Sequence, residues 1–287
     1  MGSLTRSTWV PMALLLGARD VHQCGVLTQM SISCRKRQVR GARVVNIVTA
    51  AAVLALALLG AQGGTAVAET PAAAPKSNAP LKFGIIGTGQ IGGTLATLWV
   101  QAGHEVLMSS RHPEELQALA RSLGPKAHVG TPREAALFGE VVLVSVPYGA
   151  LPQVGHDLKA ELAGKIVLDT CNPYPSRDGE MAVEARRKGT GVADPEFLPG
   201  VRLVRAFNAI NSGDLKSEAH RKGELIAIPL AGDDPQALQV AEQLVRDAGF
   251  APVVVGPLST ARRFDVGTEV YTRLLTAPQL RQALGLK

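Results

Sequence analysis

The sequence predicts an α/β fold: a doubly wound, Rossmann-type, mostly parallel sheet with a small C-terminal α/β extension. Three observations carry it. Apolar runs of strand length alternate with helical patterns from residue 81 to 169. The stretch "KFGIIGTGQIGG", from Lys82 to Gly93, sets a G-x-G-x-x-G spacing between the first apolar run and the first helical pattern. A further strand–helix–strand pattern occupies residues 225–255.

Each element has its own signal. Residues 81–86 form a buried strand, and residues 90–102 a helix ended by Gly103. Residues 105–109 are the second strand. Residues 113–123 are helical, 127–129 a short strand and 133–138 a short helix. The run 141–146, "VVLVSV", is a central strand by its β-branched content. Residues 151–162 are helical and 166–169 form the next strand. Residues 203–206 and 225–230 are further strands. Asp234 caps a helix whose first residue is Pro235. Leu238, Ala241, Val245 and Ala248 share one face of that helix, and Gly249 ends it. Residues 251–255 are the last strand.

This body starts near residue 81 because something different precedes it. Residues 50–61, "AAAVLALALLGA", hold no polar side chain. Arg35, Lys36, Arg37, Arg40 and Arg43 come before them, and Ala66-Val67-Ala68 follows. A basic segment, a short apolar core and a small-x-small site make a secretory signal peptide, with cleavage after Ala68. The expected location is therefore periplasmic or secreted. An uncleaved leader would instead anchor the chain in a membrane, although the apolar core falls short of the roughly 20 residues a span needs. Counted from Met30, the basic segment has ordinary length, so Met30 is read as the start of translation. Residues 69–80, "ETPAAAPKSNAP", read as an extended linker. The expected organisation is a leader over 1–68, a linker over 69–80 and a dinucleotide-binding domain with its extension over 81–287.

The net charge of +6 could indicate a polyanion partner, but its position argues otherwise. Residues 1–68 hold seven basic side chains and one acid, which leaves 23 basic and 23 acidic residues in the remainder. No nucleic-acid surface is expected. A hydrophobic share of 46% and a charged share of 19% fit an ordinary globular body. Cys24 and Cys34 lie in the leader. Cys171 stands alone in the body and cannot form a disulfide within it.

The glycine loop carries the chemistry. Gly87 permits the tight turn, Gly89 lets the backbone approach a pyrophosphate, and Gly92 lets helix and strand pack closely. The helix N-terminus offers free N–H groups and a positive dipole end to phosphates. The second strand then discriminates between cofactors. An NAD site usually has Asp or Glu about 20 residues past the glycines, on the ribose 2′-hydroxyl. Here that strand ends in Ser109-Ser110-Arg111, without an acid. Hydroxyls and a guanidinium fork suit a 2′-phosphate, so NADP is the expected cofactor. His104 and His128 have no partner at ligand spacing, and no metal is expected. Cys171 reads as a small apolar filler. Asp233-Asp234 reads as a turn and helix cap.

The segments "GTGQIGG", "GHEVLMSSRHPEE", "VSVPYGAL" and "LAGDDPQALQVAEQLVRDAGFAPVVVGPLSTAR" together resemble the NADPH-dependent reductases of the deazaflavin coenzyme F420. The same dinucleotide domain also resembles the cytosolic part of membrane ferric reductases. The resemblance implies NADP contacts at Thr88, Gly89, Gln90, Ile91, Ser110 and Arg111. It places Val146, Pro147 and Tyr148 on the nicotinamide side and Asn208 on the pocket floor. It further implies direct hydride transfer between the nicotinamide and a second redox cofactor or small-molecule acceptor, F420-like, flavin or other. No catalytic side chain is identified, because both rings bring their own electronics. A homodimer is compatible with this reading. The alternatives are an NADP-binding sensor or scaffold without turnover, and a hydroxyacid or pyrroline-type reductase. The strand–helix–strand pattern of residues 225–255 argues against the latter, which would add a helical C-terminal region.

Overall fold

A computed structural model describes residues 80–287. The expected signal peptide, the expected start at Met30 and all of the expected linker but Pro80 lie outside the described residues. Six strands alternate with helices: β1 (Lys82–Ile86), α1 (Gln90–Gln101), β2 (Glu105–Ser109), α2 (Gln117–Leu123), β3 (Ala127–Gly130), α3 (Pro132–Phe138), β4 (Val141–Val144), α4 (Leu151–Asp157), α5 (Lys159–Leu162), β5 (Ile166–Asp169), α6 (Pro175–Lys188), α7 (Thr190–Phe197) and β6 (Arg202–Arg205). They are followed by α8 (Ser212–Ser217), β7 (Ala227–Gly232), α9 (Pro235–Asp247), β8 (Ala251–Gly256) and α10 (Ala277–Ala283).

The eight strands make one sheet in the order β3-β2-β1-β4-β5-β6-β7-β8. The first six pair in parallel, in the doubly wound order 3-2-1-4-5-6. β7 joins β6 antiparallel, and β8 pairs parallel with β7 through the α9 crossover. The C-terminal extension is thus a reversed β-α-β unit on the sheet's far edge.

Alternation along the strands builds a core on each face of the parallel half, and a third cluster around Val253, Phe264 and Leu280 packs the extension. Val141 and Leu143 of β4 face the side covered by α1 and α9, with Phe83, Trp99 and Leu244. Val142 and Val144 face the other side, with Leu151, Ala185 and Ala193. Trp99 stacks on Phe83 at 4.8 Å and donates its indole N–H to the Leu244 carbonyl of α9 at 3.0 Å. The extension thereby docks onto the first Rossmann helix. Each β4 residue is buried, as expected for a parallel strand covered on both faces.

The helix expected over 113–123 begins as a 3₁₀ turn, Pro113–Leu116. The one expected over 151–162 breaks at Leu158, which leaves helical geometry at φ −116°. The strand expected over 141–146 ends at Val144, because Ser145 and Val146 turn beneath Gly87. Helices α6, α7, α8 and α10 were not legible from the sequence pattern. α6 buries only Ala182 and Ala185 and kinks at Gly179 (φ 65°), while α7 carries Gly191 and an internal Pro195. Packing overrides poor propensity there. No helix among the described residues is long and apolar enough to cross a membrane.

Candidate functional site

The carboxyl ends of β1, β2 and β4 open onto a cavity of about 870 Å³. Its wall includes Gly87, Thr88 and Gly89 from the first turn, and Ser110 and Arg111 from the end of β2. Val146 and Pro147, from the turn after β4, complete the set of predicted residues that line it. Seven residues singled out from three separate segments therefore meet at one place.

The glycines do different work. Gly87 sits at φ 95°, and a Cβ there would lie 2.3 Å from the Ser145 carbonyl oxygen. The turn is pinned to β2, since the Thr88 amide and hydroxyl both donate to the Ser109 carbonyl, at 2.9 and 3.1 Å. Gly92 does not line the cavity. A Cβ on it would meet the Gly87 carbonyl at 2.4 Å, so its role is close helix–strand packing. Gly89 is the informative case. Its φ of −85° suits any residue, and a Cβ there would meet no protein atom within 4 Å. Neither its backbone nor its packing requires glycine, and the space beside it is open for a ligand. α1 starts at this point with no side-chain cap and no acid in its first turn. Uncapped amides, a positive dipole end and an open approach fit a dinucleotide pyrophosphate.

At the rim, the Ser110 hydroxyl oxygen accepts from the His112 amide at 3.0 Å. Arg111 is exposed and has no carboxylate partner among the described residues. Arg133 lines the same cavity but is engaged, pairing with Glu161 and donating to the Asp157 carbonyl at 2.8 Å. Glu115, a turn beyond Arg111, also lines the wall.

Other predicted residues lie elsewhere. Ser109 is fully buried, and its hydroxyl donates to the Ile85 carbonyl at 2.7 Å. Strand alternation turns it away from the cavity and Ser110 toward it. The Gln90 amide oxygen accepts from the Ser212 hydroxyl at 2.7 Å, and Ile91 packs on the α1 core. Tyr148 is fully buried and donates to Asp194 Oδ1 at 2.5 Å, so its phenol points into the protein. Asn208, past β6, is buried and does not line the cavity; its Nδ2 lies 3.4 Å from the Phe264 carbonyl and its Oδ1 has no partner among the described residues. Phe207 before it adopts φ 57°, a strained conformation for a bulky side chain.

A buried ionic cluster beneath Tyr148 was not anticipated from the sequence. Arg205 at the end of β6 and Asp169 at the end of β5 are both fully buried, 3.0 Å apart. Asp194 of α7 lies 3.3 Å from the same guanidinium, and Asp265 lies 3.7 Å away. Burial and the neighbouring Asp169 carboxylate push the Asp194 carboxyl well above its usual range, and Arg205 only partly opposes them. Burial likewise raises the Tyr148 phenol, and Asp194 adds to it. The hint in the sequence was "RLVR", which ends a buried strand on an arginine.

His104 accepts from the Leu81 amide at 3.1 Å and pairs with Asp247, and His128 pairs with Glu105. Among the described residues no three His, Cys, Asp or Glu side chains are grouped to hold a metal. Cys171 is buried in the second core, and Asp234 caps α9 through the Ala237 amide at 2.8 Å.

Residues 82–173 match the family model described as "NADP oxidoreductase coenzyme F420-dependent". The metalloreductase STEAP3 of Rattus norvegicus is 31% identical over 227 residues, which is 77% of this chain. The chain spans only 41% of that relative's length. The F420-dependent NADP reductase of Methanothermobacter marburgensis is 28% identical over 223 residues, covering 71% of this chain and 96% of the relative. A crystal structure of a hypothetical protein from Sinorhizobium meliloti shares the fold, with a TM-score of 0.58 at 24% identity, covering 69% of this chain and 96% of that one. The glycine turn, the end of β2 and the turn after β4 all lie inside the matched residues, so residues 82–173 form an F420-dependent NADP oxidoreductase-like domain.

Proposed function

We propose that the chain is an NADPH-dependent oxidoreductase that moves a hydride between NADP(H) and a second redox cofactor or small acceptor. The observation that carries this reading is the uncapped α1 N-terminus and open Gly89 on a cavity rimmed by Ser110 and Arg111. When bound, the nicotinamide supplies the hydride. The chain's own residues bind and orient. The α1 amides and the Gly89 backbone take the pyrophosphate, and Ser110 and Arg111 take the 2′-phosphate. Val146 and Pro147 form the wall beside the nicotinamide and keep water from it. Tyr148, anchored on Asp194, holds that wall in place from behind.

The relatives differ in acceptor, one being called a metalloreductase and another an F420-dependent NADP reductase. An acceptor screen with NADPH decides the class, using F420, FMN, quinones and ferric chelates. Saturable NADPH oxidation with at least one is expected. Tight NADPH binding with no turnover in any arm would favour a non-catalytic module.

We also infer export, from the basic and then apolar leader. Sequencing the N-terminus of protein from the periplasmic fraction should find Glu69 first. An intact leader in the membrane fraction would mean an anchor instead.

A further inference from the structure

A second cavity, of about 220 Å³, lies beyond Pro173, past the carboxyl end of β5. Arg186, Arg187, Thr190, Arg262, Asp265 and Thr268 line it. Its three arginines come from two elements. Arg186 and Arg187 end α6, and Arg262 belongs to the 3₁₀ turn Leu258–Arg263 against which α7 packs.

Their charges are not equally committed. Arg187 pairs with Glu184 at 2.7 and 2.8 Å. Arg186 makes only a long contact to the Val266 carbonyl, at 3.4 Å, beside Gly267. Neither Arg186 nor Arg262 has a carboxylate partner among the described residues. The one acid in the wall, Asp265, is turned inward. It accepts from the Thr190 amide at 3.0 Å and the Thr190 hydroxyl at 2.6 Å, and its Oδ1 lies 3.7 Å from the buried Arg205. Two of the arginines that line the cavity therefore have no carboxylate partner among the described residues, and the Arg186 guanidinium lies against Gly267 of its wall.

Basic residues at a helix C-terminus are common, because they complement the dipole. That accounts for Arg186, Arg187 and Lys188. It does not account for Arg262, which reaches the same cavity from another element. Size narrows the occupant. Pockets for drug-sized ligands start near roughly 300 Å³, whereas a water takes about 30 Å³. This space suits one oxyanion with a few waters. Two guanidinium forks are the chemistry that binds phosphate.

We propose that this cavity is a second anion site, separate from the dinucleotide cleft, which binds a phosphate group, whether free or carried by a small monoester. It stands whether or not the chain oxidises NADPH. The test uses the full chain saturated with NADP⁺, so that phosphate contacts in the cleft are already filled. Inorganic phosphate and phenyl phosphate are titrated by calorimetry into wild type, R186Q/R262Q and R186K/R262K. At least one of the two should bind wild type, and the pair distinguishes a free phosphate from an esterified one. The affinity of whichever ligand binds should fall by about tenfold or more in R186Q/R262Q, as expected for lost hydrogen bonds to a charged group, and recover partly in R186K/R262K. Unchanged NADP⁺ affinity in both variants shows that they fold. Equal phosphate binding by wild type and R186Q/R262Q would overturn the site. Binding of neither ligand to wild type would overturn it as well. If NADP⁺ fails to bind wild type, the cofactor reading fails by itself, and the difference between wild type and variant still reads the second site.

Discussion

Removal of the Arg111 guanidinium is the sharpest test of the cofactor reading. The side chain is exposed at the cleft rim and holds no carboxylate, so its loss strands no buried charge. Arg111→Ala should therefore leave the melting temperature nearly unchanged. A hydrogen bond to a charged group is worth about 1.5–3 kcal/mol, and each 1.4 kcal/mol is tenfold. NADPH affinity should fall by about one to two powers of ten. Exposure to water and salt favours the lower figure. NADH lacks the 2′-phosphate and should change little. Arg111→Lys keeps the charge but loses the planar fork, and should fall between. Fluorescence titration of both nucleotides at two ionic strengths reads all of this. The preference for NADPH over NADH should shrink at the higher salt in wild type and hardly move in the variant. Equal losses for the two nucleotides would refute the 2′-phosphate assignment.

Other perturbations separate binding from packing. Gly89→Ala meets no protein atom and should fold normally, yet weaken NADPH binding by about tenfold or more. Gly92→Ala would put a methyl 2.4 Å from the Gly87 carbonyl, and should cost about 1–3 kcal/mol in denaturant unfolding. Arg205→Met leaves the buried Asp169 and Asp194 and the part-buried Asp265 without their cation and should destabilise by about 3–5 kcal/mol, or prevent folding. Asp194 has a raised folded pKa, so its favourable contribution is complete below the unfolded carboxylate value and is lost as pH rises toward the folded one. Asp194→Asn should melt progressively higher relative to wild type as pH climbs from about 4, and a constant offset would argue against the protonated carboxyl. Asp234 runs the other way. Arg202 and the Ala237 amide hold it down to about 2, so its contribution is present above the ordinary carboxylate range and lost as pH falls through that value. Asp234→Ala should remove that part of the acid limb in a melting series.

Local chemistry explains which parts of this protein were legible in its sequence. The first Rossmann half was legible because backbone demands leave residue-level marks. A positive φ and two close approaches select glycines, and fully buried parallel strands select "VVLV". The NADP cofactor was legible in that β2 ends in Ser110 and Arg111 without an acid, a local charge pattern that two adjacent residues suffice to write. The helices over 175–197 were not, since a kink at Gly179 and an internal Pro195 hide their periodicity.

Tertiary structure alone decided the rest. Strand alternation turned Ser110 to the cavity and Ser109 into the core, where a one-residue difference reverses direction. Packing of α7 between the turn after β4 and the segment after β8 brought Asp194 and Asp265 to Arg205, across 11 and 60 residues of chain. The same packing set Arg186 beside Arg262 around a shared cavity. Motifs record what the backbone needs within a few residues. The meeting of charges from distant elements is set by how those elements dock, and no local spacing encodes it.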